Sequence, residues 1–316
     1  MDVPPISNLL GALPGSVSQG LIWGLMAIGV FITYKILDVP DLTVDGSFAT
    51  GGAMCAILLT NGVNVWLALL CALAAGLLAG ALTGFFHTFC GIPAILAGIL
   101  TQLGLWSINL QIMGMANVAL NVNNMKLLVS SRFLQEVPKG MRPVWQYPIL
   151  LVGLFAVVVI LALYWFFGTE RGCALRATGA NPNMARAQGI NTNANKVLGL
   201  MLSNGLVALS GALLAQYQGF ADVKMGIGSI VIGLAAVIIG EGIFGKLFHN
   251  FALRLLGVVL GAIIYYVVLQ VVLWLRLDPN LLKLFSALVV ALFLAVPYWK
   301  GKYFSKPSKK GAKAHA

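Results

Sequence analysis

Between Asp45 and Lys126 the chain carries no Asp, Glu, Lys or Arg. Further uncharged stretches run from Val144 to Thr169, Val197 to Ala221, Met225 to Gly240 and Leu255 to Leu275. About 20 apolar residues in a row are what a helix needs to cross a bilayer core. A buried soluble helix would instead show an apolar stripe and a polar face, and these segments are apolar all round. Only 9% of the 316 residues are charged, against roughly 25% in a soluble domain. These features predict an all-α, polytopic transmembrane helical bundle.

Nine apolar spans are expected, roughly at 17–36, 47–61, 64–86, 93–112, 145–167, 196–218, 227–244, 255–275 and 281–299. A tenth short span in 113–144 would bring the upper count to ten. The second and seventh are short and glycine-rich, as half-helices or tilted segments inside the bundle would be. Residues 1–299 form a single membrane domain and 300–316 a basic tail. Lys and Arg concentrate in cytoplasmic loops. Arg171, Arg176, Arg186 and Lys196, then Lys246 and Arg254, then the tail all fall on one side. That side is the expected cytoplasm, which puts the N-terminus outside. Segment 113–144, also outside, weakens the rule with Lys126, Arg132, Lys139 and Arg142.

The net charge of +11 does not point to nucleic acid, because Lys300, Lys302, Lys306, Lys309, Lys310 and Lys313 crowd the tail. Lysines next to a membrane helix favour anionic lipid. The first residues lack a basic region and do not read as a cleaved signal peptide. Cys55, Cys71, Cys90 and Cys173 show no paired metal-ligand spacing, so no metal site and no catalytic group is assigned.

Gly76, Gly80 and Gly84 recur every fourth residue, as do Gly257 and Gly261. Such glycines share one helix face and let two backbones approach, within one bundle or between subunits. Asp41-Leu-Thr-Val-Asp-Gly-Ser47 and Asp222-Val-Lys-Met-Gly-Ile-Gly-Ser229 each precede a short glycine-rich span. Four spans, one connector and four spans would make inverted repeats, a common transporter plan. Asp41, Asp45, Asp222 and Glu241 read as interfacial helix caps, or as partners of Lys35 or Lys224. Gln216, Tyr217 and Gln218 cluster near the outer end of the sixth span. With Asn109 they are candidates to line a pathway.

The segment from Glu170 to Asn191 is the most informative. Asn181 suits an N-cap, Pro182 the first helical position and Gly189 the stop. So short a helix is unstable alone in water, and one projecting from a bundle suggests a docking knob.

The string G-x-A-L-R-A-x-G-x-N-P-x-M-A-R-A-x-G-I-N (Gly172 to Asn191) resembles the coupling-helix loop of ABC importer permeases of the branched-chain amino acid and ribose class. Ile36 to Phe48, Ile95 to Thr101, Leu202 to Gly228 and Ile230 to Glu241 are similar to its tryptophan/tyrosine-type permease group. The resemblance covers about 17–299 and implies a type II-like importer permease with a coupling helix near 180–190. Arg176, Gly179, Asn181, Pro182, Ala185, Arg186, Gly189 and Ile190 would contact the ATPase or shape the helix. It also implies a bacterial inner-membrane subunit paired with a second permease copy, cytoplasmic ATPase subunits and an extracytoplasmic substrate-binding protein.

No phosphate-binding loop of the form G-x-x-x-x-G-K-[ST] occurs, so ATP would be hydrolysed in a partner and this chain needs no cofactor. No helix carries the carboxylate pairs of an ion relay, which disfavours the alternative, an ion-gradient-driven secondary transporter. A membrane enzyme would need a polar cluster at one depth, whereas His87, His249 and His315 are scattered. The transported molecule is not legible; the resemblance implies an amino acid or related small metabolite.

Overall fold

Polar residues between the apolar runs become helix caps. The computed structural model describes residues 6–120, 127–130, 148–245 and 247–274, with scattered positions between 284 and 295. Its helices are α1 (Ile6–Phe31), which continues as a π-helical turn over Ile32–Ile36, α2 (Thr43–Thr60), α3 (Val65–Thr88) and α4 (Ala94–Met113). They continue with α5 (Pro148–Gly168), α6 (Glu170–Ala180), α7 (Pro182–Ala187), α8 (Thr192–Gln218), α9 (Ser229–Phe244) and α10 (Phe251–Trp274). Asn64, Thr169, Asn181 and Asn191 accept backbone N–H bonds at the starts of α3, α6, α7 and α8. These donors have no partner inside their helices. Gly114 and Gly219 end α4 and α8 with φ of 68° and 80°. There the chain turns into a small antiparallel ribbon, β1 (Asn117–Ala119) with β2 (Phe220–Asp222), which ties the two helix exits together.

Among the described residues, six helical stretches are long and apolar enough to cross a membrane: Leu10–Ile36, Val65–Thr88, Ala94–Met113, Pro148–Gly168, Thr192–Gln218 and Phe251–Trp274. The fold is an all-α polytopic membrane bundle. The short spans expected at 47–61 and 227–244 are α2 and α9. The span expected at 281–299 lies mostly outside the described residues, and the tail 300–316 entirely so. α1 and α8 are the most enclosed of the long helices, α4 and α5 the least. α1 packs mainly on α10, then α8 and α9; α8 packs mainly on α3 and α2, then α1.

Small residues permit these crossings. A Cβ on Gly51 would strike the Ala208 carbonyl, and one on Gly211 the Phe48 carbonyl, so α2 and α8 touch backbone to backbone. Gly76, Gly80 and Gly84 lie against α8 at Asn204, Leu200 and Val197. Gly261 meets Ala236 on α9, and Gly257 lies against the Gly240 backbone of α9, with the side chains of Phe248 and Phe244 beside it.

Glu241 and Asp222 keep to the expected pairing and capping, whereas Asp41 and Asp45 cap helices from inside the bundle rather than at its surface. Asp41 is buried and accepts from Thr43 N at 2.9 Å and from Asn204 Nδ2 at 2.7 Å. Asn204 lies twelve residues past the α8 start at Thr192, about 18 Å along the axis at 1.5 Å per residue. The chain therefore re-enters the bundle after α1, and α2 starts at depth. Ser47 also bonds Asn204, at 2.7 Å, while Thr43, Thr83 and Thr101 link α2, α3 and α4 through their hydroxyls. α9 also begins inside: Asp45 accepts from Gly228 N, Ser229 Oγ and Ile230 N at 2.8–3.0 Å. Glu241 pairs with Lys35 at 3.1 Å. Asp222 takes the backbone N–H of Lys224 at 2.6 Å, not its ammonium.

Each hydrogen bond to a charged group contributes about 1.5–3 kcal/mol. Asp45→Ala removes three acceptor contacts at the start of α9 and is expected to lower the melting temperature of the purified protein clearly. Asp45→Asn should recover part of the loss. Unchanged melting of the alanine variant would show that α9 does not depend on this cap.

Candidate functional site

α7 is a six-residue helix, shorter than the expected segment 180–190, at the end of the bundle where α1, α3, α5 and α9 finish. Its start is fixed by the Asn181 side chain, which accepts from Asn183 N at 3.1 Å and Met184 N at 3.0 Å, with Pro182 in the first turn. Gly189, at φ +79°, ends it; Gly189 N donates to Arg186 O and Ile190 N to Ala185 O. That left-handed turn suits a residue without a side chain.

Ala185 is the one buried residue of the helix and faces the bundle. Pro182, Asn183, Met184, Arg186 and Ala187 are exposed. Met184 keeps 55% of its surface, which puts an apolar, adaptable side chain at the tip. Arg186 is steadied by donating from Nε to Thr192 Oγ1 at 2.8 Å. The face is therefore held in shape but not covered.

The root of this knob is α6. Leu175 and Thr178 are buried, and Asn195 Nδ2 donates to Thr178 Oγ1 at 3.1 Å, binding α6 to α8. A Cβ on Gly179 would fall on the Ile36 carbonyl, so α6 presses directly on the π-helical end of α1. Leu37 beyond it packs on Gly199 of α8. Direct contacts thus run from α7 through α6 to the turn where α1 breaks and α2 begins. Such π-turns often mark functional sites.

The structure separates the eight residues of this segment singled out by the sequence. Asn181, Pro182, Ala185, Arg186, Gly189 and Ile190 build α7 and its stop. Gly179 is the contact with α1. Arg176 points elsewhere: its Nη2 donates to Phe167 O at 2.7 Å, at the end of α5, and its guanidinium lies 6.0 Å from the Phe251 ring centroid. It lines a cleft of about 1160 Å³ between the ends of α1 and α5, α6 and the start of α10. Sequence reasoning missed this cleft, because it is formed by segments far apart in the chain. It also missed Met184 and Thr192. An unpaired apolar residue amid polar ones was the available signal for Met184.

The pathway candidates have different surroundings. Gln216 is buried, accepting from Leu128 N at 3.2 Å and reaching Cys55 Sγ at 3.4 Å. The next residue, Tyr217, donates to Gly15 O at 3.2 Å, and Gln218 is exposed. Asn109 is buried on the inner face of α4, and neither amide atom has a hydrogen-bond partner among the described residues.

Comparison with known proteins identifies the family of the chain. Residues 13–297 match the profile of the family described as "Branched-chain amino acid transport system / permease component". A "Tyrosine transport system permease protein" of Clostridioides difficile (strain R20291) is 40% identical over 88% of this chain and 89% of its own. An "Autoinducer 2 import system permease protein LsrC" of Salmonella typhimurium is 26% identical over 71% of this chain and 60% of its own. A solved structure, PsaBC from Streptococcus pneumoniae in complex with Fab, covers 83% of this chain and 90% of its own. Its identity is 19% and its TM-score 0.38, too loose a superposition to bear on the architecture. With its apolar helices and family match, the chain belongs to the branched-chain amino acid transport system permease family and is the multi-pass permease subunit of an ABC importer of the bacterial inner membrane.

Proposed function

We propose that α7 is the coupling helix, docking in a cytoplasmic ATPase subunit and passing its ATP-driven closure through α6 to the end of α1. The observation that carries this is the pairing of an exposed, capped face with a root pressed on Ile36 at Gly179. Two copies of the chain would assemble with two ATPases and receive substrate from an extracytoplasmic binding protein. The α7 end would face the cytoplasm, as would residues 300–316.

Nine spans in a four, one, four order are the reading of the architecture, with α5 the connector and 281–299 the last. Two features support inverted repeats. α1 packs on α9 and α10 while α8 packs on α2 and α3, an exchange that two related halves would make. Asp41 and Asp222 each accept the backbone N–H two residues on, ahead of a short helix.

The substrate class is an aromatic amino acid, by analogy with the tyrosine-system relative. The test is uptake of labelled tyrosine and tryptophan by cells expressing the complete transporter. Uptake should fail on ATP depletion and survive an uncoupler while ATP is maintained. Uncoupler-sensitive uptake indifferent to ATP would contradict the reading, and saturation by an unrelated solute would contradict the substrate class.

Asn109 is the strongest of the pathway residues. A buried amide without partners costs about 1–3 kcal/mol, so Asn109→Leu should raise the melting temperature. If the amide serves substrate, uptake should fall in the same variant; raised stability with full uptake would remove it from the pathway.

A further inference from the structure

We infer that the cleft between the ends of α1, α5 and α6 and the start of α10 binds the headgroup of an anionic phospholipid. Lys35, Arg176 and Arg254 line it, against one acidic lining residue, Asp38. Lys35 shares its charge with Glu241, but that pair is half exposed, with side-chain exposures of 51% and 31%, and such pairs bind weakly. Arg254 has no ion pair among the described residues. Arg176 spends one nitrogen on the Phe167 carbonyl and stays exposed. The site therefore keeps positive charge to offer.

Its walls are aromatic. Tyr34, Tyr164 and Trp165 line the cleft and expose 46%, 47% and 74% of their surfaces. Rings of this kind sit at headgroup level, and α5, which carries two of them, is the least enclosed of the long helices. A cationic cleft rimmed by exposed rings at the end of a lipid-facing helix fits a phosphate diester whose acyl chains run along α5. Basic pockets between membrane helices commonly hold such headgroups. The chain's own lysine-rich tail has the wrong sign to fill it. Placing this headgroup in the inner leaflet rests on the proposed orientation, and a detergent experiment is independent of it.

The test is native mass spectrometry of the full-length permease in detergent with phosphatidylglycerol or phosphatidylcholine, each at the same concentration. Phosphatidylglycerol should bind more tightly. Arg254→Gln should weaken that preference about fivefold, the worth of one basic residue near an anionic lipid, while Arg254→Lys should restore most of it. Three results would overturn the inference. One is equal retention of both lipids; another is displacement of phosphatidylglycerol by inorganic phosphate at matched concentration, which would mark a free-phosphate site. The third is stoichiometric displacement by the purified ATPase subunit, which would make the cleft a protein-docking surface.

Discussion

Gly189→Val is expected to abolish transport while leaving the membrane bundle folded. The residue sits at φ +79° with nothing within 4 Å of where a Cβ would stand, so the substitution meets no neighbour. Its effect is on the backbone. A side chain in the left-handed region costs roughly 1–2 kcal/mol, and β-branched residues tolerate it least. The chain would relieve that strain by opening the turn in which Gly189 N meets Arg186 O and Ile190 N meets Ala185 O. α7 has only six residues and no other stop, so its outward face loses its shape. Uptake should drop below a tenth of wild type, and ATPase co-purification should fall with it. The melting temperature of the isolated permease should hold, with Gly189→Ala intermediate in uptake. Full uptake by the valine variant would mean that the geometry of α7 is not required.

Gly51→Val and Gly211→Val should be more drastic, because they remove the folded protein itself. Cβ atoms at these positions run into carbonyls of Ala208 and Phe48, and a backbone cannot swing aside as a side chain can. Overpacking a core costs about 1–3 kcal/mol, and two opposed backbones put these variants at or beyond the upper end. The α2–α8 crossing also holds the Ser47–Asn204–Asp41 hydrogen bonds, so parting the helices strands those groups. Size-exclusion profiles of a fluorescent fusion should show aggregation for both variants. Gly104→Val, where a Cβ meets nothing within 4 Å, should keep a single sharp peak. A normal peak for Gly51→Val would refute the close crossing.

The six long spans among the described residues were legible because the bilayer imposes one simple demand, a run of apolar residues of fixed length. α7 was legible because its caps are local: Asn181, Pro182 and Gly189 signal its ends without reference to the rest of the chain. Depth was not. Asp41 ends an apolar run and so looks interfacial, yet the chain folds back and buries it against Asn204, more than a hundred and sixty positions away. The α2–α8 crossing escaped for a similar reason. Gly76, Gly80 and Gly84 announce themselves by their spacing, whereas Gly51 and Gly211 meet backbone in another helix with no periodicity to mark them. The cleft at Arg176 depends on three stretches far apart in the chain, and no local pattern encodes such a meeting.

The role of α7 is tested most directly by a photo-crosslinking amino acid at Met184 in the assembled transporter, with the same probe at Asn61 as control. Both positions are exposed, and Asn61 follows α2 at the opposite end of the bundle. The expected result is an adduct with the ATPase subunit from position 184 and none from 61. An ATPase adduct from 61, or labelling of Met184→Cys by a membrane-impermeant thiol reagent applied outside intact cells, would contradict a cytoplasmic coupling helix.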